Sequence, residues 1–167
     1  MPPLNSSGKP TMLNRNFKEF IELLEKKAVK YLVIGGYAVG IHGFPRYTED
    51  LDIFIAVSPQ NASKMPSVFS EFGFTDLPIT KEDFLKRDFV VEVGREPLKI
   101  QVLTGIDGVT FNECYQNRII IDDGGQKIPF IGIEQLLKNK TASPRAKDKI
   151  DVEELKQIQK KKGKYPN

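Results

Sequence analysis

The sequence is poor in residues that staple or anchor proteins: it has one cysteine, Cys114, and one histidine, His42. A lone cysteine excludes an intramolecular disulfide framework, and with a single histidine it leaves too few ligands for a zinc centre. Nothing near Cys114 marks an activated thiolate, and His42, next to Gly43, reads as a capping or packing residue. No apolar run approaches the roughly 18 residues that cross a bilayer, so no membrane partner is expected. Met1 to Asn16 is polar, with proline, serine and asparagine, and lacks the apolar core of a secretory signal. A soluble cytoplasmic protein is the expectation. Net charge is also small, 25 basic against 22 acidic residues, or +3, too little to suggest a nucleic-acid coat. That charge is uneven. Residues 138–167 hold ten Lys/Arg and four Asp/Glu (+6), and residues 1–137 hold fifteen and eighteen (−3).

What is present suits one globular domain. The chain has 167 residues, of which 40% are apolar and 28% charged, enough for a real core. Residues 1–13 read as a flexible leader, 14–158 as a single domain and 159–167 as a basic tail. Asn16 with Glu19 resembles a capping box, and Phe17, Phe20, Ile21, Leu23, Leu24 and Ala28 follow helical spacing, predicting a helix over 17–28. Residues 31–34 form a short apolar run ended by Gly35-Gly36, the pattern of a buried strand entering a tight turn. A short helix over 37–42, a strand over 51–57 and a helix over 60–72 follow. Residues 89–93 and 98–103 read as strands joined through 94–97. Residues 118–121 and 127–131 read as a hairpin around Asp122-Asp123-Gly124-Gly125. Helices over 133–140 and 145–162 close the chain. This order predicts an α/β fold, a central mixed sheet flanked by helices with helices at the C-terminus.

The chemistry concentrates in residues 33–53. Asp50 and Asp52 alternate at the mouth of a strand, so both face one side, with α-carbons about 6.6 Å apart. Two carboxylates on one face of an otherwise apolar strand are costly unless a cation sits between them, and Mg²⁺ (with Mn²⁺ as a substitute) suits such oxygen ligands together with substrate phosphates. Fourteen residues before Asp50, Gly35-Gly36 follows a strand and opens a helix, where a backbone without β-carbons can approach a phosphate. The pair of features fits phosphoryl or nucleotidyl transfer.

Gly35-Gly36 followed by Arg46, Thr48, Asp50, Leu51 and Asp52 resembles the signature of the nucleotidyltransferase superfamily of polymerase-β-like fold, and in particular its small bacterial AbiEii-like and minimal members. Residues 98–111, 133–140 and then Arg145, Lys147, Asp148, Asp151 and Leu155 are similar to that family's third-carboxylate strand and closing helices. The resemblance implies that Asp50 and Asp52 bind Mg²⁺ and are catalytic. It also implies that Gly35, Gly36, Arg46, Thr48 and Lys140 bind the nucleotide, Lys140 contacting the triphosphate. A nucleoside monophosphate would pass from a nucleoside triphosphate to an acceptor hydroxyl on a small molecule, a protein or a tRNA, with loss of pyrophosphate.

One position departs from the family. Where relatives carry a third acid, this chain has Gln101, whose amide brings no negative charge and is no base. Glu92 or Asp107 could take its place. The alternative reading is therefore a catalytically silent protein of the same fold that binds a nucleotide or a partner, as in a toxin–antitoxin or phage-defence pair. A second copy or a partner protein could complete the cleft, since the chain has little room for an acceptor domain. The lysine-rich run from Lys160 to Lys164 reads as a solvated helix end.

Overall fold

The structure, a computed structural model, describes residues 8, 11–95 and 98–164, with side chains as far as residue 162. Helix α1 (Arg15–Lys26) buries Phe17, Phe20, Ile21 and Leu24. Its cap is Asn14, whose side chain accepts from the Phe17 N–H at 2.9 Å. The predicted Asn16 cap is thus two residues late, and Asn16 lies within the helix. Strand β1 (Tyr31–Ile34) is buried at all four positions and runs straight into α2 (Gly35–Ile41), which starts at the first glycine rather than after a turn. Strand β2 (Asp50–Ile55) leads to α3 (Pro59–Phe72), capped by the Ser58 side chain. The α1–α3 contact is aromatic: Phe20 meets Phe69 and Phe72 at ring distances of 5.6 and 5.2 Å.

A 3-10 turn at Asp83–Leu85 precedes β3 (Val90–Arg95) and β4 (Leu98–Leu103). Part of the predicted joining turn, Glu96 and Pro97, lies outside the described residues. A helix that the periodicity did not predict, α4 (Phe111–Gln116), precedes β5 (Ile119–Asp123) and β6 (Gln126–Phe130). Their hairpin turns on Gly124-Gly125 alone, both with positive φ (64° and 98°), as a tight two-residue hairpin requires. Helices α5 (Ile133–Ala142) and α6 (Ala146–Lys164) complete the order, so the helix takes in residues 159–164 of the stretch read as a tail, whose last three residues lie outside the described residues.

The six strands form one mixed sheet in the order β3-β4-β2-β1-β6-β5. β1 is antiparallel to β2, and β2 is parallel to β4. Freed from the hairpin turn, Asp123 does structural work that its sequence position did not suggest. Its carboxylate accepts the Met12 and Leu13 N–H groups, and the Lys18 ammonium donates to its carbonyl. Leu13 is fully buried, so residues 11–13 pack into the domain although composition placed them in the leader. Among the described residues no helix is long and apolar enough to cross a membrane.

Candidate active site

The end of β1 and the start of β2 lie side by side, with Ile34 paired to Asp52. Chain reversal there requires Gly35: its φ is +70°, and a β-carbon would collide with Asp52 Oδ2. A β-carbon on Gly36 would collide with Thr48 Oγ1. The glycines thus make room first for protein side chains, drawing the acid strand against the start of α2. Gly35→Ala is expected to cost both stability and activity, whereas Gly40→Ala, where nothing lies within 4 Å, should keep both; thermal melts and turnover of the two variants check this.

On β2, Leu51, Ile53 and Ile55 are fully buried, and the alternate face carries Asp50, Asp52 and then Phe54, whose ring meets Phe111 of α4 at 5.1 Å. Asp50 Oδ1 and Asp52 Oδ1 are both inaccessible and have no hydrogen-bond partner. Two orphaned carboxylate oxygens on one face leave a demand for positive charge that the surrounding donors do not meet. The strain shows in Asp52, whose carboxyl is pushed up to about 6 by burial and then by Asp50, against the opposing pull of Lys140, Arg145 and Lys147.

The neighbouring strands complete this face. Gln101 of β4 is the register partner of Asp52, and Lys99 that of Asp50. Glu92 of β3 is in turn the partner of Gln101 and forms an ion pair with Lys99 at 3.2 Å. Asp107 does not reach this place: it is exposed beyond the C-terminal end of β4, its carbonyl accepting from Asn139. Among the described residues, no three His, Cys, Asp or Glu side chains are grouped to hold a metal ion, so the site rests on the two aspartates.

Lys140 takes a place that sequence did not foresee. Only 4% exposed, its ammonium lies 2.8 Å from Asp148 and 3.0 Å from Asp151, themselves 1% and 2% exposed. Arg46 joins Asp151 at 3.0 Å, its Nε buried without a partner, and Arg145 Nε meets Asp148 at 2.8 Å. This ionic cluster ties α5 and α6 to the loop before β2. His42 Nε2 donates to the Ile131 carbonyl, 2.7 Å away and buried, and burial lowers its pKa; it is a packing residue. Burial likewise pushes the Cys114 thiol up to about 12, which keeps it inert at neutral pH. The largest cavity among those described, about 880 Å³, borders the acid face only at Phe54 and takes in neither aspartate.

No protein family and no curated protein matches the sequence, but solved structures match the fold. The Thermotoga maritima protein TM1012, described as a nucleotidyltransferase, aligns with TM-score 0.56 at 16% identity over 90% of this chain and 92% of its own. The lincosamide antibiotic adenylyltransferase LnuA, solved with lincomycin, gives 0.55 at 16% identity over 89% and 99%. The antibiotic-resistance factor ANT(2'')-Ia gives 0.53 at 11% over 86% of each chain. The chain has the nucleotidyltransferase fold.

Within this nucleotidyltransferase fold, the structure brings together Gly35, Gly36, Thr48, Asp50, Asp52 and Gln101 around the mouth of β2. Arg46 and Lys140 are engaged by buried carboxylates instead of projecting freely. Sequence reasoning assigned no role to Asp148, Asp151 and Arg145, although all three stood in the motif that carried the resemblance. The AbiEii-like subgroup rests on those motifs alone.

Proposed function

We propose that the chain is a nucleotidyltransferase that moves a nucleoside monophosphate from a nucleoside triphosphate to an acceptor hydroxyl, with pyrophosphate as the leaving group. The observation that carries this reading is the pair of orphaned buried oxygens, Asp50 Oδ1 and Asp52 Oδ1, on one face of β2. These two side chains fit a hard divalent cation, Mg²⁺ or Mn²⁺, which prefers carboxylate oxygens shared with phosphates. Asp50 and Asp52 would hold such a cation, and it would supply Lewis-acid stabilisation of the charge that builds on the leaving group.

The chain's own residues supply the rest. The Gly35-Gly36 backbone borders the acid pair with no side chains of its own to obstruct a phosphate. Arg145 and Lys147, exposed at the start of α6, exert their field on Asp52 and are placed to meet the triphosphate. Lys140 supports them from below by holding Asp148, which in turn holds Arg145. The acceptor we infer is a small hydroxylated molecule. Supporting it, two neighbours of similar length act on such compounds, one solved with lincomycin and the other with adenylyl-2''-tobramycin.

The test is pyrophosphate release with each of the four nucleoside triphosphates, with Mg²⁺, and with hydroxylated small molecules including a lincosamide and an aminoglycoside. Release that needs Mg²⁺ and stops with a chelator is the expected result. Nucleotide binding by calorimetry with no release for any acceptor would favour a silent binding module, and no binding at all would overturn the reading.

A further inference from the structure

The cavity of about 880 Å³ lies toward the far end of β2 from the acid pair, lined by Phe54 and Ala56 but by neither aspartate. Ala56 stands four residues past Asp52, about 13 Å of extended chain. Three cations line this space, Lys30, Lys64 and Arg87, against one acid, Asp88. Among the described residues, none of the three cations has a carboxylate partner. We propose that the cavity is a second ligand site for a ring-bearing phosphate monoester, with Lys30, Lys64 and Arg87 holding the phosphate and Phe54, Ile106 and Phe111 walling the ring. The inference goes beyond the transfer reaction and does not depend on it.

The walls are firmly built. Asn61 of α3, 2% exposed, accepts the Lys30 N–H at 3.0 Å and donates to the Lys30 and Ala56 carbonyls at 2.8 and 3.0 Å. These bonds fix the backbone that carries Lys30. Lys64, a turn farther along α3, donates to the Ala28 carbonyl at 3.1 Å, so two ammonium groups share that wall. On the β4 side, the buried Thr104 hydroxyl accepts the Phe89 N–H at 2.8 Å and donates to the Lys86 carbonyl at 2.7 Å, fastening the segment that bears Arg87 and Asp88. Gly105 permits the close approach, since a β-carbon there would collide with Asp88 Oδ1. Ala28 and Asp88 are the non-glycine residues of the described chain with positive φ, 55° and 58°, and both line this cavity. Strained backbone of that kind gathers at functional sites, where the surrounding structure holds it in place.

The lining sets the chemistry of the ligand. Its volume falls within the range of about 300–1,000 Å³ that small molecules occupy. Three cations less one carboxylate leave a charge of +2 on the walls. A phosphate monoester, with about −1.5 to −2 at neutral pH, matches that charge, whereas a polycation would be repelled. The Arg87 guanidinium can take two phosphate oxygens at once, and the lysines act as point charges. The apolar side is an aromatic run: Phe54 meets Phe111 edge-on at 5.1 Å, and Phe111 stacks on Tyr115 at 5.4 Å. Lys30 Nζ lies 5.7 Å from the centre of the Tyr115 ring, where the charged and apolar walls meet. Inorganic phosphate would leave the aromatic wall uncovered, so charge and apolar surface together call for a ring joined to the phosphate.

The experiment is calorimetric titration of the full chain with AMP and with 4-nitrophenyl phosphate, in chelator so that no divalent cation loads the aspartates. At least one ester should bind, with adenosine and inorganic phosphate about tenfold weaker or worse. The tighter of the two esters tells a nucleotide from another aryl phosphate. Lys64→Met and Arg87→Met should each weaken binding about fivefold or more, and Asp88→Asn should tighten it. Arg87 is exposed, so its replacement tests the site even if Lys64→Met lowers stability. Asp50→Asn combined with Asp52→Asn should leave the affinity unchanged. If Arg87→Met binds like the parent, or if the double aspartate variant no longer binds, the inference is wrong. A chain that binds neither ester overturns it as well. Pyrophosphate release stands or falls separately, because it needs Asp50 and Asp52.

Discussion

Replacing Asp52 by asparagine is expected to end pyrophosphate release and, in the same protein, to raise the melting temperature of the metal-free form at neutral pH. The two effects share one cause. Burial, with Asp50 beside it, raises the Asp52 carboxyl from 3.8 to about 6. The folded state therefore binds that proton more tightly than the unfolded chain, and stability linked to it is present below about pH 4 and lost as pH rises through about 6. At pH 7.5 the full penalty applies. A shift of this size corresponds to about 3 kcal/mol at most, and relieving all of it would raise the melting temperature of a chain of this length by roughly 6–12 °C. Activity should fall at least ~10³-fold, the scale of losing a principal electrostatic group in a transferring site. Melting curves of the parent and Asp52→Asn between pH 4.5 and 8 check the sign: the parent should lose stability across that range more steeply than the variant. A lower melting temperature for Asp52→Asn at pH 7.5 would mean that Lys140, Arg145 and Lys147 already compensate the carboxylate.

The same site shows which features sequence can carry. The Asp50–Asp52 alternation is local, and a strand's two-residue period puts both acids on one face whatever the rest of the chain does. Gly35-Gly36 was also legible, although its reason was not. The space its missing β-carbons leave is filled by Asp52 and Thr48, and that contact exists only once β1 and β2 pair. Non-local pairing explains the Gln101 result too. Residues 98–103 read as a strand, but the parallel β2–β4 match that aligns Gln101 with Asp52 spans a sequence separation no periodicity encodes. The α1 cap was misplaced because Asn14 and Asn16 are both competent caps, and the choice depends on which residue reaches the Phe17 N–H. Helix α4, six residues long, is too short to show a period.

The ionic cluster was hidden for a different reason. Charged residues at a helix surface normally face water, so their residue type alone did not mark Asp148 and Asp151 as buried. Yet they lie three apart, on the same stripe of α6 as buried Val152 and Leu155, the positions where an apolar residue would be expected. Two acids on an apolar stripe demand a buried cation, and Lys140 is the one that arrives from α5. The stripe was a readable sign that α6 packs by charge at its start and by apolar contact farther along.

Lys140→Met should consequently act on the fold before it acts on a nucleotide. Removing the ammonium leaves Asp148 and Asp151 buried with less compensation, and breaking a buried pair from one side costs about 3–5 kcal/mol, or roughly 8–15 °C in melting temperature for a chain of this size. The loss should depend on acid in a definite way. Burial alone would raise the Asp148 carboxyl, but hydrogen bonds from Lys140, Ser143 and Arg145 outweigh it and hold the group at about 2. A depressed folded-state pKa gives stability that is present above the unfolded value near 4 and is lost as pH falls toward 2. Without Lys140 that contribution shrinks, and the acid-unfolding midpoint should move to higher pH. Adding Asp148→Asn and Asp151→Asn to Lys140→Met should recover part of the melting temperature, because the uncompensated charges go with them. The opposite pattern, an unchanged melting temperature with a raised KM for the triphosphate, would return Lys140 to the direct phosphate contact implied by the family resemblance. The 4% exposure of its side chain argues that the first pattern will be the one observed.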